Sequence, residues 1–172
     1  IASCLVGSEM CIRDRAIGSN LGNRTQNIEK AKFQLLQSDL VINKSSSNFE
    51  SLSWPNPSNP KFINAIVEIH TKVSPLKLLY ICNSIERKLG RKKTRKNDPR
   101  PCDIDIIDYK QKLLNLDNDK LITPHPRMIS RNFVLLPLFE INKSWKHPKS
   151  AKNIVNLLKD MTIENLRTIK QL

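Results

Sequence analysis

Asp103 and Asp105 alternate with Cys102, Ile104 and Ile106 in the run Pro99-Arg100-Pro101-Cys102-Asp103-Ile104-Asp105-Ile106. That alternation is the period of a strand with one buried face, and it sets the two carboxylates on one side with Cα atoms about 6–7 Å apart. Acids held so close repel each other unless positive charge sits beside them. A hard divalent cation meets that need: Mg²⁺ takes one or two carboxylates, keeps several waters and completes its shell with substrate phosphates. Immediately upstream lie Arg91, Lys92, Lys93, Arg95, Lys96 and Arg100, a set of cations suited to a polyphosphate. Acids for a metal and a basic loop for phosphate point together to nucleotide-dependent phosphoryl or pyrophosphoryl transfer. The plainer reading of the same residues is the solvated face of an edge strand behind a solvated basic loop.

Other residues extend the chemical reading. His125 stands between two prolines, on a rigid turn near Arg131. His70 and His147 have no such company and read as surface residues. Phe62 and Asn64 share one face of an alternating stretch, where a buried amide needs partners for both ends. An aromatic and an amide are the least that a flat heterocycle requires, and Phe133 could supply a second aromatic surface. A sheet-edge Asn beside a core Phe is the plain alternative. Trp54, among prolines, is either a loop anchor or a lid aromatic. Gly18-Ser19-Asn20-Leu21-Gly22 is a glycine-bearing turn without the Gly-Lys-Ser/Thr ending of a P-loop, so any nucleotide must be held another way.

The elements that would carry these residues are partly legible. Ile28, Ala31, Leu35 and Leu36 recur at helical spacing behind Asn23 or Thr25 as N-cap. Lys61 to Val73 alternates as a strand, with Ile63, Ala65, Val67 and Ile69 on one face. Ser74-Pro75 opens a helix whose stripe is Leu78, Cys82, Ile85 and Leu89, with Gly90 placed as a C-cap glycine. Leu40 to Phe49 is a weak strand, and Ser51–Pro60 a proline-studded loop. Leu113, Leu114 and Leu116 suggest a return strand. Arg131-Asn132-Phe133 begins a helix through Glu140, and two short helices are expected around Ile154–Leu158 and Ile163–Ile169. This mixture predicts an α+β sandwich, a mainly antiparallel sheet with helices packed on it.

A chain of 172 residues fits one domain with a real core. Residues 1–15 lack an amphipathic period and lack the architecture of a signal peptide. They read as a non-native or disordered segment replacing part of a first strand, with a single domain over 16–172. No apolar run approaches the ~20 residues that cross a bilayer. The four cysteines form no Cys-x-x-Cys pair, which suits a free-thiol protein of a reducing cytoplasm. The formal net charge of +13 favours polyanionic ligands. A basic nucleic-acid-binding module is therefore the rival reading; aromatic content of 5% and acids beside the basic loop argue against it. A further rival is a nucleotidyl or glycosyl transferase that uses Asp-x-Asp.

The blocks Gly-Ser-Asn-Leu-Gly, Phe-Ile-Asn-Ala, Ile-Glu-x-x-Leu-Gly-Arg, Pro-Arg-x-x-Asp-Ile-Asp-Ile, Pro-His-Pro-Arg-Met and Arg-Asn-Phe-Val-Leu-x-Pro-Leu occur in that order between Ala16 and about Ile141. Their order and spacing resemble the 6-hydroxymethyl-7,8-dihydropterin pyrophosphokinase family of folate biosynthesis. The resemblance implies a ferredoxin-like α+β fold and transfer of pyrophosphate from ATP to the pterin hydroxymethyl oxygen, releasing AMP. It implies Asp103 and Asp105 as ligands of two Mg²⁺ ions, and Arg91 and Arg100 as catalytic phosphate contacts beside Asp105. Asn83, Arg91, Lys93, Ile106, His125 and Arg131 would meet ATP. Phe62 and Phe133 would sandwich the pterin while Asn64 and Ser51 read its edge. The expected protein is a cytoplasmic monomer acting on small molecules, with neither nucleic acid nor membrane as partner. Asp98, Asn97 and Asn83 depart from the pattern: a charge replaces a small residue, asparagine replaces a tryptophan, and asparagine replaces a glutamine.

Overall fold

A computed structural model describes residues 11–172 except Lys93 and Lys96. Strand β1 (Cys11–Ser19) leads into helix α1 (Arg24–Leu36), then β2 (Val41–Ser45), β3 (Phe49–Ser51) and β4 (Phe62–Thr71). Helix α2 (Pro75–Lys88) precedes β5 (Asp103–Tyr109), the hairpin strands β6 (Leu114–Leu116) and β7 (Leu121–Thr123), and α3 (Asn132–Ile141). The chain closes with α4 (Ile154–Lys159), α5 (Ile163–Arg167) and β8 (Ile169–Gln171). The main sheet runs β5-β1-β4-β3-β8, with β2 also on β4. Every pairing in it is antiparallel. With α1 and α2 as crossovers, β1, β3, β4 and β5 form the ferredoxin-like βαββαβ unit.

Local signals start the helices where the residues say. Asn23 Oδ1 accepts the Gln26 N–H at 3.1 Å, and Ser74 caps α2 ahead of Pro75. Gly90 follows α2 at φ +93°, a left-handed conformation that glycine adopts without a Cβ penalty. The expected single weak strand over Leu40–Phe49 is instead two shorter strands, β2 and β3. Neither α5's end nor β8 follows the expected helix through Ile169: the last residues extend and pair with β3.

The first strand also differs from expectation. Pairing starts at Cys11, opposite Thr71, so residues 11–15 continue the central strand rather than stand apart from the domain. Residues 1–10 lie outside the described residues.

Each face of the sheet buries its own core. Ile17, Ile63, Ala65, Val67 and Ile104 meet Ile28 and Leu35 of α1 and Leu78, Cys82 and Ile85 of α2. On the opposite face Ile66 and Ile107 meet Val134, Leu135 and Leu138 of α3, Ile154 and Leu157 of α4, and Trp145. His147 is 9% exposed and packs edge-on to Trp145 at 5.9 Å, so it is a buried residue and not the surface histidine the sequence suggested. Helices α3 and α4 cover only part of their face. The remainder, carrying Ala16, Gly18, Asn64, Asp103 and Asp105, lines an open cavity.

Candidate active site

The β1–β5 register opposes Asp103 to Gly18 and Asp105 to Ala16. Ile104 and Ile106 point into the α1–α2 core, so both carboxylates must face the other way, into a cavity of about 640 Å³. Small residues opposite them leave that space empty of side chains.

Three arginines converge on this pair. Arg91 Nη1 donates to Asp103 Oδ1 at 2.7 Å, and Arg100 Nη2 to Asp103 Oδ2 at 2.6 Å. Arg131 Nη1 donates to Asp105 Oδ2 at 3.2 Å. Burial, then the neighbouring Asp105, raises the Asp103 carboxyl above the usual range, while Arg100 and Arg91 oppose the rise. His125 Nε2 stands 4.0 Å from Asp105 Oδ2. Its Nδ1 accepts the Arg127 N–H at 3.2 Å, which puts the proton of the neutral ring on Nε2, toward the carboxylate. Burial lowers the His125 pKa and so favours that neutral ring.

The aromatic half lies beside the charged half. Phe62, Asn64, Ser51 and Phe133 all line the cavity, and Asn64 Nδ2 donates to Ser51 Oγ at 3.0 Å. Arg100 lies 5.8 Å from the Phe62 ring centroid and Arg131 5.4 Å from that of Phe133. Each arginine thus touches one carboxylate and one aromatic face, which joins the two halves.

Not every expected residue arrives here. Ile106 is 4% exposed within the α1–α2 core, so only its backbone could meet a ligand; its side chain does not line the cavity. Asn83 sits exposed on α2, outside the cavity lining. Lys93 lies outside the described residues. Asn97 lines the cavity at φ +70°, and Asp98 Oδ2 accepts the Arg95 N–H at 3.0 Å, closing the turn of the basic loop. The Asp98 charge is thereby turned onto its own loop.

Two buried polar residues beside the site carried no signal in the sequence. Asn20 is 2% exposed, accepts the Arg100 N–H at 2.8 Å, and donates to the Pro60 carbonyl at 3.2 Å and to Ser53 Oγ at 3.4 Å. One amide therefore fastens the Arg100 loop to the Ser51–Pro60 loop. Glu86 is buried under Asp103, and burial pushes its carboxyl up to about 7 against the Ile104 N–H and Arg91. The glycine-turn and Ile-Glu blocks contained both residues, but no local spacing announces their distant partners.

The donor set suits a divalent cation. Paired carboxylates are hard oxygen ligands, and positive charge between them would relieve the repulsion that lifts Asp103. Among the described residues no group of three or more His, Cys, Asp and Glu side chains gathers, so a cation here would complete its shell with water or phosphate oxygens.

Fold and cavity define a ferredoxin-like α+β protein with an open cleft lined by paired carboxylates, arginines and aromatic rings. Residues 15–143 match the family model of 7,8-dihydro-6-hydroxymethylpterin-pyrophosphokinase (HPPK), and the chain belongs to that family. It is 39% identical over 127 residues to the 2-amino-4-hydroxy-6-hydroxymethyldihydropteridine pyrophosphokinase of Bacillus subtilis, covering 73% of this chain and 75% of that one. The Folic acid synthesis protein fol1 of Pneumocystis carinii is 33% identical over 90% of this chain, which spans only 20% of that longer protein. The wild-type HPPK-DHPS of Plasmodium falciparum with pteroate shares the fold at TM-score 0.73 and 16% identity, over 97% of this chain and 47% of that one.

Proposed function

We propose that this chain transfers the β,γ-pyrophosphoryl group of ATP to the hydroxymethyl oxygen of 6-hydroxymethyl-7,8-dihydropterin, releasing AMP, with Mg²⁺ required. The observation that carries the reading is the pair Asp103 and Asp105, aimed into one cavity beneath three guanidiniums and beside Phe62 and Phe133. Membership of the family supports the reaction and the pterin.

Asp103 and Asp105 would hold two Mg²⁺ ions, which supply charge neutralisation to the phosphates. Arg91, Arg100 and Arg131 already face that region and would turn from the carboxylates to phosphate oxygens. His125, neutral, offers an Nε2–H donor at the Asp105 end. Phe62 and Phe133 would stack the pterin while Asn64 and Ser51 meet its polar edge. Such transfers need little covalent help from the protein, so the residues act by positioning and electrostatics. The Arg91–Arg100 loop and the Ser51–Pro60 loop, tied by Asn20, border the cavity and are placed to exclude water when filled. We also read the protein as a cytoplasmic monomer.

The nucleic-acid reading gains no support. Arg91 and Arg100 turn onto Asp103 instead of forming an open basic face.

An assay with ATP, Mg²⁺ and 6-hydroxymethyl-7,8-dihydropterin that resolves AMP from ADP tests the proposal. Pterin-dependent AMP is expected; ADP, or no turnover by folded protein, would remove it.

A further inference from the structure

Glu86 lies in the last turn of α2 and is 5% exposed, yet the reaction described above assigns it nothing. Its Oε1 accepts the Ile104 N–H at 2.7 Å, between the two site carboxylates. The same oxygen receives Arg91 Nη1, and the Arg91 N–H donates to the Glu86 carbonyl at 2.9 Å. Arg91 Nη1 also reaches Asp103 at 2.7 Å. One guanidinium is therefore shared between a carboxylate fixed on a helix and a carboxylate that faces the cavity.

The two acceptors respond differently to a ligand. Asp103, if it held a cation, would give up its charge to that ion and loosen its hold on Arg91. Glu86 does not line the cavity, so its hold on Arg91 persists. Arginine has five N–H donors in a rigid fork, so the head group can keep Glu86 and still offer donors to phosphate oxygens. We propose that Glu86 is a positioning residue: it is the pivot on which Arg91 passes from Asp103 to the nucleotide phosphates. This rests on the nucleotide site proposed above.

A double-mutant cycle tests it, with Glu86→Gln, Arg91→Ala and both together. The amide oxygen of Glu86→Gln still accepts from Ile104, so melting temperature reports separately on the structural bond. The readouts are the dissociation constant for the Mg²⁺ complex of a non-hydrolysable ATP analogue, by calorimetry, and kcat and KM. Glu86→Gln should weaken analogue binding about tenfold when Arg91 is present and less than about twofold in the Arg91→Ala background. Equal weakening in both backgrounds, or none in either, overturns the pivot. If Glu86→Gln fails to fold, Glu86→Asp, which withdraws the charge by one methylene, carries the same expectation in the same cycle. A wild-type protein that binds no analogue overturns the nucleotide site and this inference with it; wild-type binding with an additive cycle overturns the pivot alone.

Discussion

Arg100 and Asp103, three residues apart, meet at 2.6 Å across the mouth of β5. The guanidinium also lies 5.8 Å from the Phe62 ring centroid, so one side chain borders both the Asp103 carboxylate and the proposed pterin surface. Its own backbone N–H is held by Asn20, which fixes where the side chain starts.

From that placement, Arg100→Ala should lower kcat by about a hundredfold while the KM for ATP moves less, because a contact that strengthens as the phosphate charge shifts acts on the transition state. Steady-state kinetics with both substrates varied decides it. A change in KM alone reduces Arg100 to a binding residue.

Asp105→Ala should cut kcat by roughly a thousandfold, the loss of several kcal/mol of charge stabilisation. Its side chain is 37% exposed and its ion pair with Arg131 is solvent-screened, so the melting temperature should change little. A variant that turned over normally would exclude Asp105 as a metal ligand.

Gly18→Ala probes the floor of the cavity. A Cβ there would lie 3.3 Å from Asn64 Oδ1 and 3.4 Å from Phe62 Cδ1, so the amide and the ring must give way. The KM for the pterin should rise about tenfold or more, with the KM for ATP nearly constant. Equal shifts in both constants would show that the floor serves the site as a whole.

Asp14 yields a pH prediction. It is 1% exposed, and burial, then Asp108 and Glu68, raises its carboxyl from 3.8 to about 7, while Arg15 and Lys44 pull the other way. The folded pKa exceeds the unfolded one, so Asp14's contribution is whole below about pH 4 and is lost as pH rises through 7. The loss is on the order of 4 kcal/mol. Asp14→Asn should therefore gain stability relative to the parent as pH goes from 4 to 8, measured as the difference in urea midpoints. Parallel midpoint curves for the two proteins would show that Asp14 does not titrate in this range.

Much of the frame was legible because its signals are local. Asn23 and Ser74 cap the helices they precede, Gly90 ends α2, and alternation marks β4 and β5. The end of the chain was not: β8 has three residues, and only the free edge of β3 makes them a strand. Trp145 and His147 gave no periodic sign of burial, since they pack in a non-helical stretch between α3 and α4. The buried acids Asp14, Glu68 and Asp108 follow from the register of β1 against β4 and β5, which pairs Asp14 with both Glu68 and Asp108.

The sequence by itself determined that Asp103 and Asp105 share a face, that cations precede them, and that Phe62 and Asn64 point the same way. These follow from a two-residue period along single strands. Only the tertiary structure decided which arginine meets which carboxylate, that Ile106 turns into the core, that Asn20 ties the two loops, and that Glu86 meets both Arg91 and β5. Such pairings join residues on different elements, so they depend on strand register and helix packing, and no spacing along the chain encodes them.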